Sequence, residues 1–178
     1  MWTYRNQLIN LFAVVLTTFI LCSLQSTLWP VFFGATAAPL PWLGIMLYMV
    51  LFRKPVQALF INYGLCLVVH AYTADPLGQL LPTIAIVTAS GSYIRRRLFL
   101  PSTRYFVMAM FLFSILFQTV LFIMSQILED NPAHVFFFHR ILSSLMTALV
   151  AAPLYWFLSG LDHFTDVEVV PESSGDQE

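Results

Sequence analysis

The sequence predicts an all-α polytopic membrane protein, with about six transmembrane helices in one compact bundle, and three observations carry that prediction. First, 59% of the 178 residues are hydrophobic and 10% are charged, against about 45 to 50% apolar and about 25% charged in ordinary soluble domains. Second, the run from Leu77 to Tyr93 contains no charge. At about 1.5 Å per helical residue it covers most of a hydrocarbon core roughly 30 Å thick. Third, prolines and charged turns cut the remaining chain into further apolar runs. At roughly 20 to 25 residues per span there is room for about six and for no sizeable soluble domain. Function is therefore expected in or beside the bilayer.

The first span is expected from about Leu8 to Trp29, with aromatic residues at both ends where headgroups lie. Thr18, Cys22 and Gln25 share one of its faces. Arg5 ahead of an apolar run and Ala35-Thr36-Ala37 beyond it resemble a signal peptide, but the run from Leu8 to Leu24 exceeds a usual signal core and the Ala-x-Ala lies well past its end. An uncharged loop broken by Pro39 and Pro41 leads into a short second span, Trp42 to Phe52. Arg53-Lys54-Pro55 turns the chain into a third, Val56 to Thr73. Asn62, Cys66, His70 and Thr73 form one polar stripe on it, a face expected to look into protein.

Asp75-Pro76 stops the third span, because proline disfavours the α region for the residue before it and brings no N–H. On the fourth span Gly78, Pro82, Ala85, Ala89 and Ser92 form a stripe of small residues, predicting close packing of the third and fourth spans as a hairpin. The fifth is expected from Tyr105 to Leu128, with Ser114, Gln118 and Ser125 on one side, and the sixth from Val135 to Gly160, with His139, Ser143 and Thr147 sharing a face. Residues 1–161 are thus read as a six-span bundle and 162–178 as an acidic, disordered cytoplasmic tail. Arg5, Arg53, Lys54, Arg95, Arg96, Arg97 and Arg104 fall on one side and only Arg140 near the other, so both termini are expected in the cytoplasm.

Ionisable groups within spans are the first place to look for chemistry. His70 and Asp75 lie about 140° apart around a helix, so they pair only if the helix breaks between them. Glu129, Asp130, His134 and His139 match no zinc spacing. Neither G-x-S-x-G nor H-E-x-x-H occurs, and glycine is too sparse for a phosphate-cradling loop. The expected protein is not an enzyme and takes no cofactor or metal. Its net charge of −1 gives no reason to expect nucleic-acid binding. Cys22 and Cys66 sit in apolar runs as small hydrophobes. Asn62, His70, Asp75, Gln118 and His139 are the candidate intramembrane polar contacts, and Arg95, Arg96, Arg97 and Arg104 the candidate cytoplasmic basic surface.

Several stretches resemble the MreD family of the bacterial cell-elongation machinery. They are LWP closing the first span, PWLGIMLYMVLF in the second, the acidic turn into D-P-L-G, the Tyr93 to Arg97 end of the fourth, and RILSSLMTALVAAPLYWFLSGLD in the last. Where that family carries an extra acidic residue near the end of the third span, this chain has His70 and Ala71, leaving Asp75 as the candidate carboxylate. The resemblance implies a non-catalytic scaffold of the bacterial inner membrane. It would bind a single-span MreC-like partner and link cytoplasmic MreB filaments to the wall synthases of peptidoglycan synthesis. It also implies a fold similar to the substrate-binding subunits of energy-coupling-factor vitamin transporters, which leaves a transporter subunit as the rival expectation. Phe111, Phe113 and Phe117 are expected to offer an aromatic ridge to a partner helix.

Overall fold

The structure, a computed structural model, describes residues 2–34, 36–95, 102–129 and 137–165. These form six helices and no strand: α1 Trp2–Phe33, α2 Pro41–Phe52, α3 Pro55–His70, α4 Leu77–Arg95, α5 Thr103–Leu128 and α6 Phe137–Phe164. Four segments, Arg5–Phe33 of α1 and the whole of α4, α5 and α6, are long and apolar enough to cross a membrane. The chain is accordingly a helical membrane protein. The other two helices are shorter than expected spans: at about 1.5 Å per residue, α2 extends about 18 Å and α3 about 24 Å.

The local sequence accounts for those short lengths. Gly34 closes α1 at φ +59°, in the left-handed region that suits glycine, and its N–H donates to Pro30 O at 3.0 Å. Pro41 begins α2 at a position where a missing N–H costs nothing. Pro55 does the same for α3 and holds Lys54 at ψ 142°, outside the helical region. α3 ends at His70, three residues before the expected Thr73.

The chain entering α2 runs non-helically among the other helices, with Ala37 and Pro39 buried. Leu40 N–H donates to Thr147 Oγ1 at 2.9 Å, and Ser143 Oγ donates to Ala38 O at 2.8 Å. Irregular backbone at membrane depth is tolerated only where protein satisfies it. The polar stripe of α6 supplies those partners.

α2 is the centre of the bundle, packed against each of the other five helices. Eleven of its twelve residues are buried, as suits a helix apolar all round. Two glycines mark where backbones approach. A Cβ on Gly44 would lie 2.6 Å from Leu154 Cδ2, and one on Gly91 would lie 2.8 Å from Val50 Cγ1 and 3.2 Å from Phe113.

Two expectations about faces are corrected here. α3 and α4 do pack as neighbours, but not through the small-residue stripe. Gly78 and Ala89 are exposed and Pro82, Ala85 and Ser92 half-buried, while Gln79, Leu80, Thr83, Ile84, Val87, Thr88, Gly91 and Arg95 face inward. The larger side chains bury more area on that side than the small stripe offers. Phe113 and Phe117 belong to the core, and Phe111 is half-buried, so the expected aromatic ridge is not presented outward. Phe117 instead meets the edge of Trp42, ring centroids 5.3 Å apart.

Candidate functional site

The most concentrated chemistry lies where the start of α1 and the ends of α2, α4 and α6 meet. Arg53, at the C-terminus of α2, is 6% exposed and pairs with Asp162 of α6, 4% exposed, at 2.5 Å. Asn10 of α1 donates to Asp162 Oδ1 at 2.8 Å and to Thr165 Oγ1 at 2.9 Å, and its own oxygen accepts from Arg53 Nη2 at 3.1 Å. Tyr48 Oη donates to Asp162 Oδ2 at 2.9 Å. Both carboxylate oxygens are therefore engaged, one by Arg53 and Asn10 and the other by Tyr48. Arg95 closes the cluster from α4 by donating to the carbonyl oxygens of Arg53 and of Val50. A buried charge is tolerated when it is paired and hydrogen-bonded, and here the pairing joins four helices.

Two of these residues correct the sequence reading. Arg95 belongs to the interior rather than to a basic surface, because the last turn of α4 points it at the open carbonyls ending α2. Asp162 is part of the bundle rather than the start of an acidic tail: α6 continues past 161 to Phe164, so that boundary falls inside a helix. Arg104 is exposed, whereas Arg96 and Arg97 lie outside the described residues. Asn10, Tyr48 and Thr165 were not candidates. Asp162 had a legible signal, since it continues the spacing of the buried residues Ser144, Thr147, Ala151, Leu154 and Leu158 along α6.

The expected contacts within the bundle fall into two groups. Asn62 is fully buried and donates to Thr88 Oγ1 at 3.1 Å and to Met46 O at 3.4 Å, tying α3 to α4 and α2. Gln118 donates to Ser144 Oγ at 2.9 Å and to Arg140 O at 3.2 Å, while Arg140 Nη1 returns a bond to Gln118 O at 3.2 Å. Arg140 also lies over the Phe122 ring, 4.4 Å from its centroid. His139 behaves otherwise: it is exposed at the first turn of α6, on the rim of a cavity, and is not an interior contact.

His70 and Asp75 meet at the opposite end from the Arg53 cluster. Because α3 stops at His70, the turn curls back and the His70 ring, through Nδ1–H, donates to the backbone oxygen of Asp75 at 3.0 Å. The Asp75 carboxylate instead borders a cleft of about 330 Å³ shared with Gln79, Gln118, Glu129 and Arg140. Burial pushes its carboxyl above the ordinary value, the nearby Glu129 adds to the rise, and His70 opposes it. Glu129 goes the other way, held low by hydrogen bonds from Ser125, at 2.6 Å, and from Gln79.

A second cavity of about 340 Å³ opens at this same end between α1, the start of α2, the turn after α3 and the start of α6. Among the described residues no group of three or more His, Cys, Asp or Glu side chains is placed to hold a metal ion. Compared with protein-family models, curated proteins and solved structures, the chain matches none of them.

Proposed function

We propose that this protein is a non-catalytic scaffold of the bacterial inner membrane, acting in the cell-elongation machinery as the MreD-like motifs of its sequence suggest. One observation supports the reading best. The buried charges at the Arg53 end hold helices together, Arg53 and Asp162 by pairing with each other and Arg95 by bonding to the carbonyls that end α2, so the bundle is a braced body. Large apolar side chains such as Phe12 of α1, Leu112 of α5 and Trp156 of α6 stand on its exterior. Such faces suit lipid and the packing of a single-span, MreC-like helix. The Arg53 end, with exposed Lys54 and Arg104 beside it, would face the cytoplasm and its MreB filaments. Depletion in the native cell is expected to round it while vitamin uptake stays intact. Normal shape with a lost uptake activity overturns the scaffold reading.

A second reading, the substrate-binding subunit of an energy-coupling-factor type vitamin transporter, is favoured by the 340 Å³ cavity with its aromatic and polar wall. Uptake of a vitamin that depends on this chain, in cells of normal shape, would establish it.

A further inference from the structure

Among the described residues, the wall of the 340 Å³ cavity includes Cys22, Gln25, Trp29, Trp42, Thr73 and His139, and no Asp, Glu, Lys or Arg. Two of these residues each hold a buried side-chain atom that lacks a hydrogen-bond partner, Trp42 at Nε1 and Thr73 at Oγ1. Trp42 is 2% exposed. Its ring is held edge-on by Phe117 and by its place in the first turn of the central helix. The indole of Trp29 and the phenol of Tyr72 in the same wall are engaged: Trp29 Nε1 donates to Thr36 O at 3.2 Å, and Tyr72 Oη accepts from Ser23 at 3.0 Å. Buried indole N–H groups ordinarily have partners. Two unmet groups, one in the first turn of α2 and one in the turn after α3, on residues that line one cavity therefore point to a ligand.

We infer that this cavity binds an uncharged group through a carbonyl or hydroxyl oxygen that accepts from Trp42 Nε1–H, with Thr73 Oγ1 making the second hydrogen bond. An indole N–H only donates, so it selects an acceptor; a hydroxyl gives or takes, so it accommodates a carbonyl or a second hydroxyl. Among the described residues the wall sets no carboxylate, ammonium or guanidinium opposite a charged ligand, which would lose its hydration without gaining such a partner. A cavity of this size is at the small end of ligand sites. Two sources carry this chemistry: a small neutral solute, or the glycerol ester region of a lipid lying at the same depth. The inference rests on neither functional reading, since a scaffold and a transporter subunit can each hold such a ligand.

The test uses the full chain, extracted from its native membrane in mild detergent. Native mass spectrometry reads what is bound, and the ¹⁵N-indole resonance of Trp42 reads the state of its N–H. The wild type is expected to carry a discrete added mass. Trp42→Phe, which keeps most of the ring, and Thr73→Val, which keeps the shape, should each lower its occupancy by about three- to tenfold, the equivalent of one net hydrogen bond. A small mass assigns the solute and a phospholipid mass assigns the lipid. Two results overturn the inference: a wild type with no added mass whose Trp42 indole proton exchanges freely with water, or an added mass retained equally in both variants. If Trp42→Phe fails to fold, Thr73→Val alone still decides between these outcomes.

Discussion

At the Arg53 end of the bundle three charged side chains, Arg53, Arg95 and Asp162, face inward, whereas at the other end Asp75, Glu129 and Arg140 border an open cleft. Arg53, Arg95 and Asp162 are each under a tenth exposed and bonded to groups on other helices. Asp75, Glu129 and Arg140 instead share the margin of a cleft, where two carboxylates stand close enough for one to raise the pKa of the other. The same few residue types thus brace one end and leave the other able to receive something. The difference comes from where the helices stop. α2 and α4 end with arginines directed at neighbouring carbonyls and a carboxylate, while the turn after α3 and the C-terminal end of α5 leave Asp75 and Glu129 at the margin of a cleft.

The largest effect is expected from removing one member of the buried pair. Asp162→Leu leaves the Arg53 guanidinium inside the bundle with Asn10 as its remaining side-chain partner, and loss of one partner of such a pair costs about 3 to 5 kcal/mol. Arg53→Met should cost less, because Asp162 keeps donors from Asn10 and Tyr48. Chemical or thermal unfolding in detergent measures both. Equal losses would mean that Asn10 and Tyr48 do not compensate the carboxylate.

Overpacking the contacts of the central helix with its neighbours comes next. Gly91→Ala should destabilise by about 1 to 3 kcal/mol, because the new methyl meets Val50, a branched side chain that is stiff at χ1, and the Phe113 ring. Gly44→Ala should cost less, since it meets the far end of the more flexible Leu154. The reverse order in melting temperatures would place the tight approach of α2 elsewhere.

Asn62→Leu is smaller again. Hydrogen bonds between membrane helices average about 0.6 kcal/mol and reach roughly 1 to 2, so this variant should insert and melt slightly earlier. Failure to insert would reveal a role beyond holding α3 to α4.

How much of this was legible in the sequence follows from the kind of signal each feature leaves. Asn62, Cys66, Ser114, Gln118, Ser143 and Thr147 were readable as inward faces because helical spacing places polar residues together in otherwise apolar runs. The Asp75-Pro76 and Arg53-Lys54-Pro55 turns were readable from proline chemistry. What spacing does not carry is which helix faces which. Arg53 and Arg95 look like topology signals until α1 and α6 bring Asn10 and Asp162 to the same end, and Asp162 looks like a tail residue until α6 continues past it. Small residues on α4 suggested a packing face, but the neighbours of α4 meet its larger side chains.

The smallest expected effect belongs to the open end. Glu129→Gln removes a like charge beside Asp75, so the Asp75 carboxyl should titrate at lower pH, read by ¹³C-carboxyl NMR. With its folded pKa raised, Asp75 lowers the stability of the bundle as pH rises from the ordinary carboxylate value through the raised one. Glu129, with its pKa lowered, contributes stability above its ordinary value that is lost as pH falls through the lowered one. An unchanged Asp75 titration would show that the two carboxylates do not interact.

The most direct measurement is a double-mutant cycle on Arg53 and Asp162, with unfolding of the wild type, Arg53→Met, Asp162→Leu and the double variant measured in detergent. If the basic end is a structural brace, the double variant should lose clearly less stability than the two single losses added together, since no unpaired charge is left buried. Additive losses would contradict the account, because they would mean that the pair does not hold α2 to α6.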